Sequence, residues 1–159
     1  MVRLIWSESS GSWWAIPSQK SNHGYRMKEI NMSIGEKSLE AWPRAYAKKD
    51  YSLIEPLLHP DYLCHDYRMG IELNFESEKV LIETLSDFFA IGHRKILYEN
   101  ENILVISWFS KHNEVPPRYV ATMTTDTIKD KKLFYRHIIR EFLDYDPSEG
   151  QDWNWEDYA

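Results

Sequence analysis

The sequence predicts an α+β domain in which helices come first and an antiparallel sheet follows. Three observations carry this. From Ser33 to Gly92 most apolar residues recur at helical spacing. After Gly92 they alternate with period two. The turn-forming clusters Glu99-Asn-Glu-Asn102 and Lys129-Asp-Lys-Lys132 separate the alternating runs. Helices followed by a run of strands indicate α+β with antiparallel pairing, not a parallel βαβ layout. A long curved sheet with three helices against it forms a cone with an inner cavity.

Residues 1–32 mix Trp6, Trp13 and Trp14 with Ser, Gly, Asn and Gln and show no clear period. They read either as a poorly ordered extension or as a functional arm, and Met27 and Met32 offer alternative starts. Ser33 with Glu36 three residues on is a capping-box pattern. Ile34, Leu39, Trp42, Ala45 and Tyr46 then fall near helical spacing, with Pro43 expected to kink or split the helix. Asp50 caps a second short helix, Tyr51 to about Leu58, which Pro56 shortens and Pro60 ends. Asp61 to Tyr67 reads as a strand with Tyr62, Cys64 and Asp66 on one face and Leu63, His65 and Tyr67 on the other. Arg68-Met69-Gly70 turns the chain, and Ile71 to Phe75 pairs back. Ser77 is expected to cap a third helix with Val80, Leu81, Leu85, Phe88 and Phe89 on one face, ended by Gly92. Four strands follow, at 95–98, 103–110, 118–128 and 133–143, with 112–117 as a longer connection. The domain is expected to span 33–145, leaving an acidic, Trp-rich tail at 146–159.

Composition bounds the function. The chain has 159 residues, 43% hydrophobic and 14% aromatic, which is globular rather than disordered, and it is long enough to bury a core without a disulfide or metal staple. The formal charge is -6, so a general nucleic-acid binder, which needs a basic surface, is not expected. The lone Cys64 forms no internal disulfide and no Cys-x-x-Cys half-site. Metal-ligand spacings such as His-x-His are missing, as are a Gly-x-Ser-x-Gly nucleophile motif and a phosphate-cradling Gly loop. No 18-residue apolar run exists, and Glu8 with the Ser and Gly after it interrupts any signal-peptide core. The expectation is a cytoplasmic protein needing no cofactor and no metal, with no membrane or nucleic-acid partner.

Three stretches carry a family resemblance: Tyr46-Ala-Lys-Lys-Asp-Tyr-Ser-Leu-Ile-Glu-Pro-Leu-Leu-His-Pro-Asp-Tyr-Leu-Cys-His-Asp66, then Ser77 to Ala90, and Asp126-Thr-Ile-Lys-Asp-Lys-Lys-Leu-Phe-Tyr-Arg-His137. They resemble the first-strand signature, third helix and last hairpin of the nuclear transport factor 2-like superfamily, in its SnoaL-like branch of polyketide cyclases and ketosteroid isomerases. The resemblance implies the cystatin-like α+β barrel, a cone closed by three N-terminal helices. It also implies an Asp near the end of the first strand as general base. The spacing from Asp50 places this role on Asp66. The same residue reads equally as the start of the turn at Arg68, or as its ion-pair partner. A carboxylate in an apolar pocket suits proton abstraction beside a carbonyl. The sequence departs from that branch at its oxyanion donors. Trp42 stands where the branch has Tyr, so Tyr46, one turn on, is the candidate donor. Thr124 stands near the second donor's position, with Asp126 two residues later on the same face.

His137 is a further catalytic candidate if it points inward, as in a scytalone-dehydratase-like pairing with Asp66; otherwise it is a sheet-surface His. Trp42, Tyr62 and Trp108 are expected to form an aromatic pocket for a flat apolar or aromatic molecule. The function expected is small-molecule binding, with isomerisation, cyclisation or dehydration by cofactor-free proton transfer. The other readings are a non-catalytic ligand-binding or protein-interaction module of the same fold, and an assembly protein using the Trp-rich termini. The protein is expected to be a homodimer through its sheet.

Overall fold

The computed structural model describes residues Arg3–Ser7, Ser12–Ile16 and 32–158. The chain divides into two units, Met1–Met32 and Ser33–Ala159. In the first, β1 (Arg3–Ser7) and β2 (Ser12–Ile16) form an antiparallel hairpin, with Trp6 opposite Trp13. The sequence shows no period there; five-residue strands are too short to reveal one. The remainder of 1–32, on which the reading as a poorly ordered extension or functional arm falls, lies outside the described residues.

The second unit opens with helix α1 (Ile34–Lys48). Its start is the expected capping box: the Ser33 hydroxyl accepts from the Glu36 amide, and the Glu36 carboxylate accepts from the Ser33 amide. Glu99 adds a long-range lock, accepting from the Ser33 hydroxyl at 2.8 Å and the Gly35 amide at 2.9 Å. α1 runs through Pro43 without splitting. The lost backbone bond is offset by a buried face of Gly35, Ser38, Trp42 and Ala45, which holds the helix against the sheet. The expected second helix is two single 3₁₀ turns, Tyr51–Leu53 and Glu55–Leu57, because Pro56 interrupts the amide ladder.

Strands β3 (Leu58–Asp66) and β4 (Ile71–Asn74) pair antiparallel around the turn at Arg68. Helix α2 (Phe75–Leu85) is capped by Asn74, whose side chain accepts from Ser77, and not by Ser77 itself. It ends at Leu85, seven residues before Gly92. A 3₁₀ turn, Ser86–Phe88, leads into β5 (Phe89–Glu99), so Gly92 is a strand residue. Strands β6 (Ile103–His112), β7 (Arg118–Lys129) and β8 (Lys132–Leu143) complete the sheet. The order is β4-β3-β8-β7-β6-β5, antiparallel throughout except for the parallel β3–β8 pair. Asp130 and Lys131 make the two-residue β7–β8 turn, both at positive φ.

One face of the sheet meets α1 and α2 around Ile54, Leu58, Tyr62, Cys64, Ile82, Leu104, Ile106 and Leu133. The other face is partly covered by residues after Tyr145, outside the expected domain. Trp153 stacks on Phe109 and His93, and Trp155 stacks on Tyr119. The Trp155 indole donates to Asp146 at 3.0 Å. Gly92 lies directly beneath: a Cβ there stands 3.1 Å from the Trp155 ring. No helix among the described residues is long and apolar enough to cross a membrane.

Candidate functional site

Strand alternation decides which side chains reach the interior. On β3 it sends Tyr62, Cys64 and Asp66 inward and leaves Leu63 and Tyr67 exposed. The register then aligns Asp66 with Ile138 and Cys64 with Arg136 on β8, and Arg136 with Asp126 on β7. The inward residues of β8 are therefore Arg136, Ile138 and Arg140. From the helix side α1 contributes Trp42 and Tyr46, one turn apart, and α2 contributes Glu78 and Leu81. Together with Ile91, Arg94, Trp108, His112 and Thr124 they enclose a cavity of about 330 Å³. Its mouth is rimmed by Met69, Ile71, Leu85 and Phe88, all exposed apolar side chains. A larger, more open trough of about 700 Å³ lies beside Pro60, Phe75 and Lys132. It is an open surface depression flanked by Glu55, Asp61, Glu76 and Lys132.

Of the residues singled out from the sequence, Asp66, Tyr46, Trp42, Trp108 and Thr124 line the cavity. Tyr62 does not; it is fully buried in the core beneath it. Asp126 stands one layer back, behind Arg136. His137 points to the opposite face of β8, where its Nδ1 lies 2.9 Å from the Tyr67 hydroxyl. The pairing of His137 with Asp66 does not form, because His137 lies between the inward-facing Arg136 and Ile138 and so faces outward. His65 shares that outer face, 3.5 Å from Glu72.

Both oxygens of Asp66 are occupied. Oδ1 accepts from the Arg68 and Met69 amides, each at 3.1 Å, which shapes the turn at the mouth. Oδ2 lies 2.8 Å from Arg140 Nε. That contact is an ion pair rather than an aligned hydrogen bond, since the Nε–H finds no acceptor. Asp66 is thus a turn anchor paired with Arg140 rather than Arg68.

Asp126 and Arg136 form a forked pair, Nε to Oδ1 at 2.7 Å and Nη2 to Oδ2 at 3.2 Å. Both are buried, and the guanidinium lies 4.4 Å over the Trp42 ring. Burial works against the Arg136 cation, but Asp126 outweighs it and holds its pKa above the usual arginine range.

Glu78 is the group the sequence reading missed. It is 4% exposed, on the cavity wall, with no hydrogen bond or ion pair among the described residues. Burial raises its carboxyl pKa; Arg136 and Arg140 oppose this and Asp126 adds to it. A signal was present: Glu78, Ile82 and Leu85 stand at i, i+4 and i+7, so Glu78 is an acid on the apolar stripe of α2. Tyr46 stacks on Trp42 and meets the Phe89 ring at a tilt. Burial, with Glu78 nearby, keeps its hydroxyl protonated well past the usual range. Burial pushes the His112 imidazole down, so it is neutral at physiological pH. The cavity thus combines an apolar mouth, aromatic walls, a carboxyl without a partner among the described residues, and hydrogen-bond donors. Among the described residues no group of three or more His, Cys, Asp or Glu is arranged to hold a metal ion.

No protein-family model and no curated protein matches the sequence. Solved structures do. An NTF2-like protein of unknown function from Cytophaga hutchinsonii superposes with a TM-score of 0.55 at 11% identity, over 70% of this chain and 92% of that one. The fold is NTF2-like. TerC, co-crystallised with polyporic acid, gives 0.55 at 14% identity over 69% of this chain and 92% of its own. A loop-truncation variant of IdmH gives 0.52 at 11% identity over 65% and 90%. At these identities the NTF2-like likeness is one of architecture, and function follows from the site.

Proposed function

We propose that this protein binds a small, flat, mostly apolar molecule in the cone. Any chemistry there is cofactor-free proton transfer of the SnoaL-like kind: isomerisation, cyclisation or dehydration. Glu78 is the acid–base group and Tyr46 the hydrogen-bond donor to the substrate oxygen. The observation that carries this is the Glu78 carboxyl on the cavity wall, without a hydrogen bond or ion pair among the described residues. Burial raises the pKa of this carboxyl, the direction that acid–base catalysis needs. Asp66 is the weaker base, since accepting a proton requires it to give up the mouth turn or Arg140. The exposed apolar rim and the aromatic walls suit an apolar guest, and the co-crystal of TerC with polyporic acid supports a ligand in this fold.

The test is a thermal-shift screen of aromatic and polycyclic carbonyl compounds against the wild type and Leu81→Trp, which fills the cavity. The expected result is stabilisation of the wild type only; equal stabilisation of both variants contradicts a ligand in the cone. For any compound that is turned over, Glu78→Gln is expected to lower kcat at least a hundredfold and Asp66→Asn far less. The reverse order moves the base to Asp66.

A further inference from the structure

Two arginines of the cavity hold N–H groups without acceptors among the described residues, and these specify what its ligand carries. Three arginines line it: Arg94, Arg136 and Arg140. Arg136 is neutralised by the fork to Asp126, and Arg140 is paired at Nε with Asp66. Arg94 has no carboxylate in contact among the described residues. Its one hydrogen bond runs from Nη1 to the Ser38 carbonyl at 3.1 Å, and its buried Nε–H has no acceptor. Arg140 is under-satisfied as well. Its Nε–H is not aligned on Asp66, its terminal nitrogens make no hydrogen bond among the described residues, and its side chain is 28% exposed.

The remaining carboxyl, Glu78, makes no hydrogen bond or ion pair with Arg94 or Arg140 among the described residues, so it leaves their free N–H groups unsatisfied. Tyr46 adds another donor. Guanidinium N–H groups without acceptors are costly in a low-dielectric interior, and an arriving anion removes that cost. A neutral hydrocarbon leaves it in place.

We infer that the cone selects an anion: a flat aromatic molecule carrying a carboxylate or enolate oxygen, balanced by Arg94 and Arg140. This rests on the ligand-binding reading above and narrows it. The apolar rim admits the ring system, while the two guanidinium groups fix the acidic oxygen inside.

The experiment compares 2-naphthoate with 2-naphthamide, which match in size and shape and differ in charge, by isothermal titration calorimetry. The wild type is expected to bind naphthoate at least tenfold more tightly. In Arg140→Gln and Arg94→Gln this preference is expected to shrink severalfold. A cooperative melting curve shows that the variants are folded. Equal affinities in the wild type, or tighter binding of the amide, overturn the anion inference and leave the ligand-binding reading standing. A full naphthoate preference retained in both variants overturns the assignment to Arg94 and Arg140. Binding of neither compound overturns both readings.

Discussion

Replacing Asp126 by Asn keeps the shape of the carboxylate but removes its charge, and Arg136 stays buried. The wild-type pair is a fork at 2.7 and 3.2 Å between side chains 0% and 6% exposed. Breaking such a pair from one side costs about 3–5 kcal/mol, most of it the desolvation of the orphaned cation. An Asn oxygen still accepts one hydrogen bond, and the Trp42 ring still faces the guanidinium. The expected cost is therefore at the lower end, about 3 kcal/mol. For a chain of this length that is a drop in Tm of roughly 6–12 °C. Urea unfolding of the wild type, Asp126→Asn, Arg136→Met and the double variant Asp126→Leu with Arg136→Met measures it. The double variant is expected to lose far less than the sum of the singles, because no unpaired charge remains. A cost below about 1 kcal/mol for Asp126→Asn refutes the premise that this pair is sealed from water.

Three further outcomes follow from the same geometry. A Cβ on Gly35 stands 2.5 Å from Glu99 Oε2 and 2.8 Å from Ile96 Cδ1, so Gly35→Ala must displace the lock on α1. It is expected to cost about 1–3 kcal/mol in thermal unfolding, and an unchanged Tm contradicts the close approach. Trp153→Ala removes the ring stacked on Phe109 and His93 and is expected to cost about 3 kcal/mol and to change the near-ultraviolet dichroism; an unchanged spectrum means the tail does not pack there. Glu78 holds its proton more tightly folded than unfolded. Its penalty is therefore absent below its ordinary value of 4.5 and grows as pH rises, because the unfolded chain ionises first. Glu78→Gln is thus expected to gain stability relative to the wild type on going from pH 4 to pH 8 in urea titrations; a pH-independent difference sinks the raised pKa.

The sequence revealed what local patterns encode. Ser33 with Glu36 marked the start of α1, the alternation at Tyr62, Cys64 and Asp66 marked the inner face of β3, and Asp130-Lys131 marked the last hairpin. Local rules failed where distant residues intervene. Nothing near Asp66 announces Arg140, which reaches it only through the parallel β3–β8 pairing. Nothing near His137 fixes its face until the β7–β8 register sets Arg136 and Ile138 inward. Gly92 looked like a helix stop but is flat ground for Trp155, a contact between a strand and the acidic tail set outside the expected domain. Both Asp66 oxygens have partners, the turn amides on one side and Arg140 on the other. The acid on the wall came instead from Glu78, masked among the other charges of α2.

The proposed ligand enters the interior of the cone and not the outer face of the sheet. The four tryptophans among residues 33–158 separate these places: Trp42 and Trp108 line the cavity, whereas Trp153 and Trp155 pack on the outer face. A ¹H–¹⁵N titration of their indole N–H signals with 2-naphthoate measures the difference directly. The account predicts saturable shifts at Trp42 and Trp108 with Trp153 and Trp155 unmoved. Shifts confined to Trp153 and Trp155, or none at any indole, contradict it.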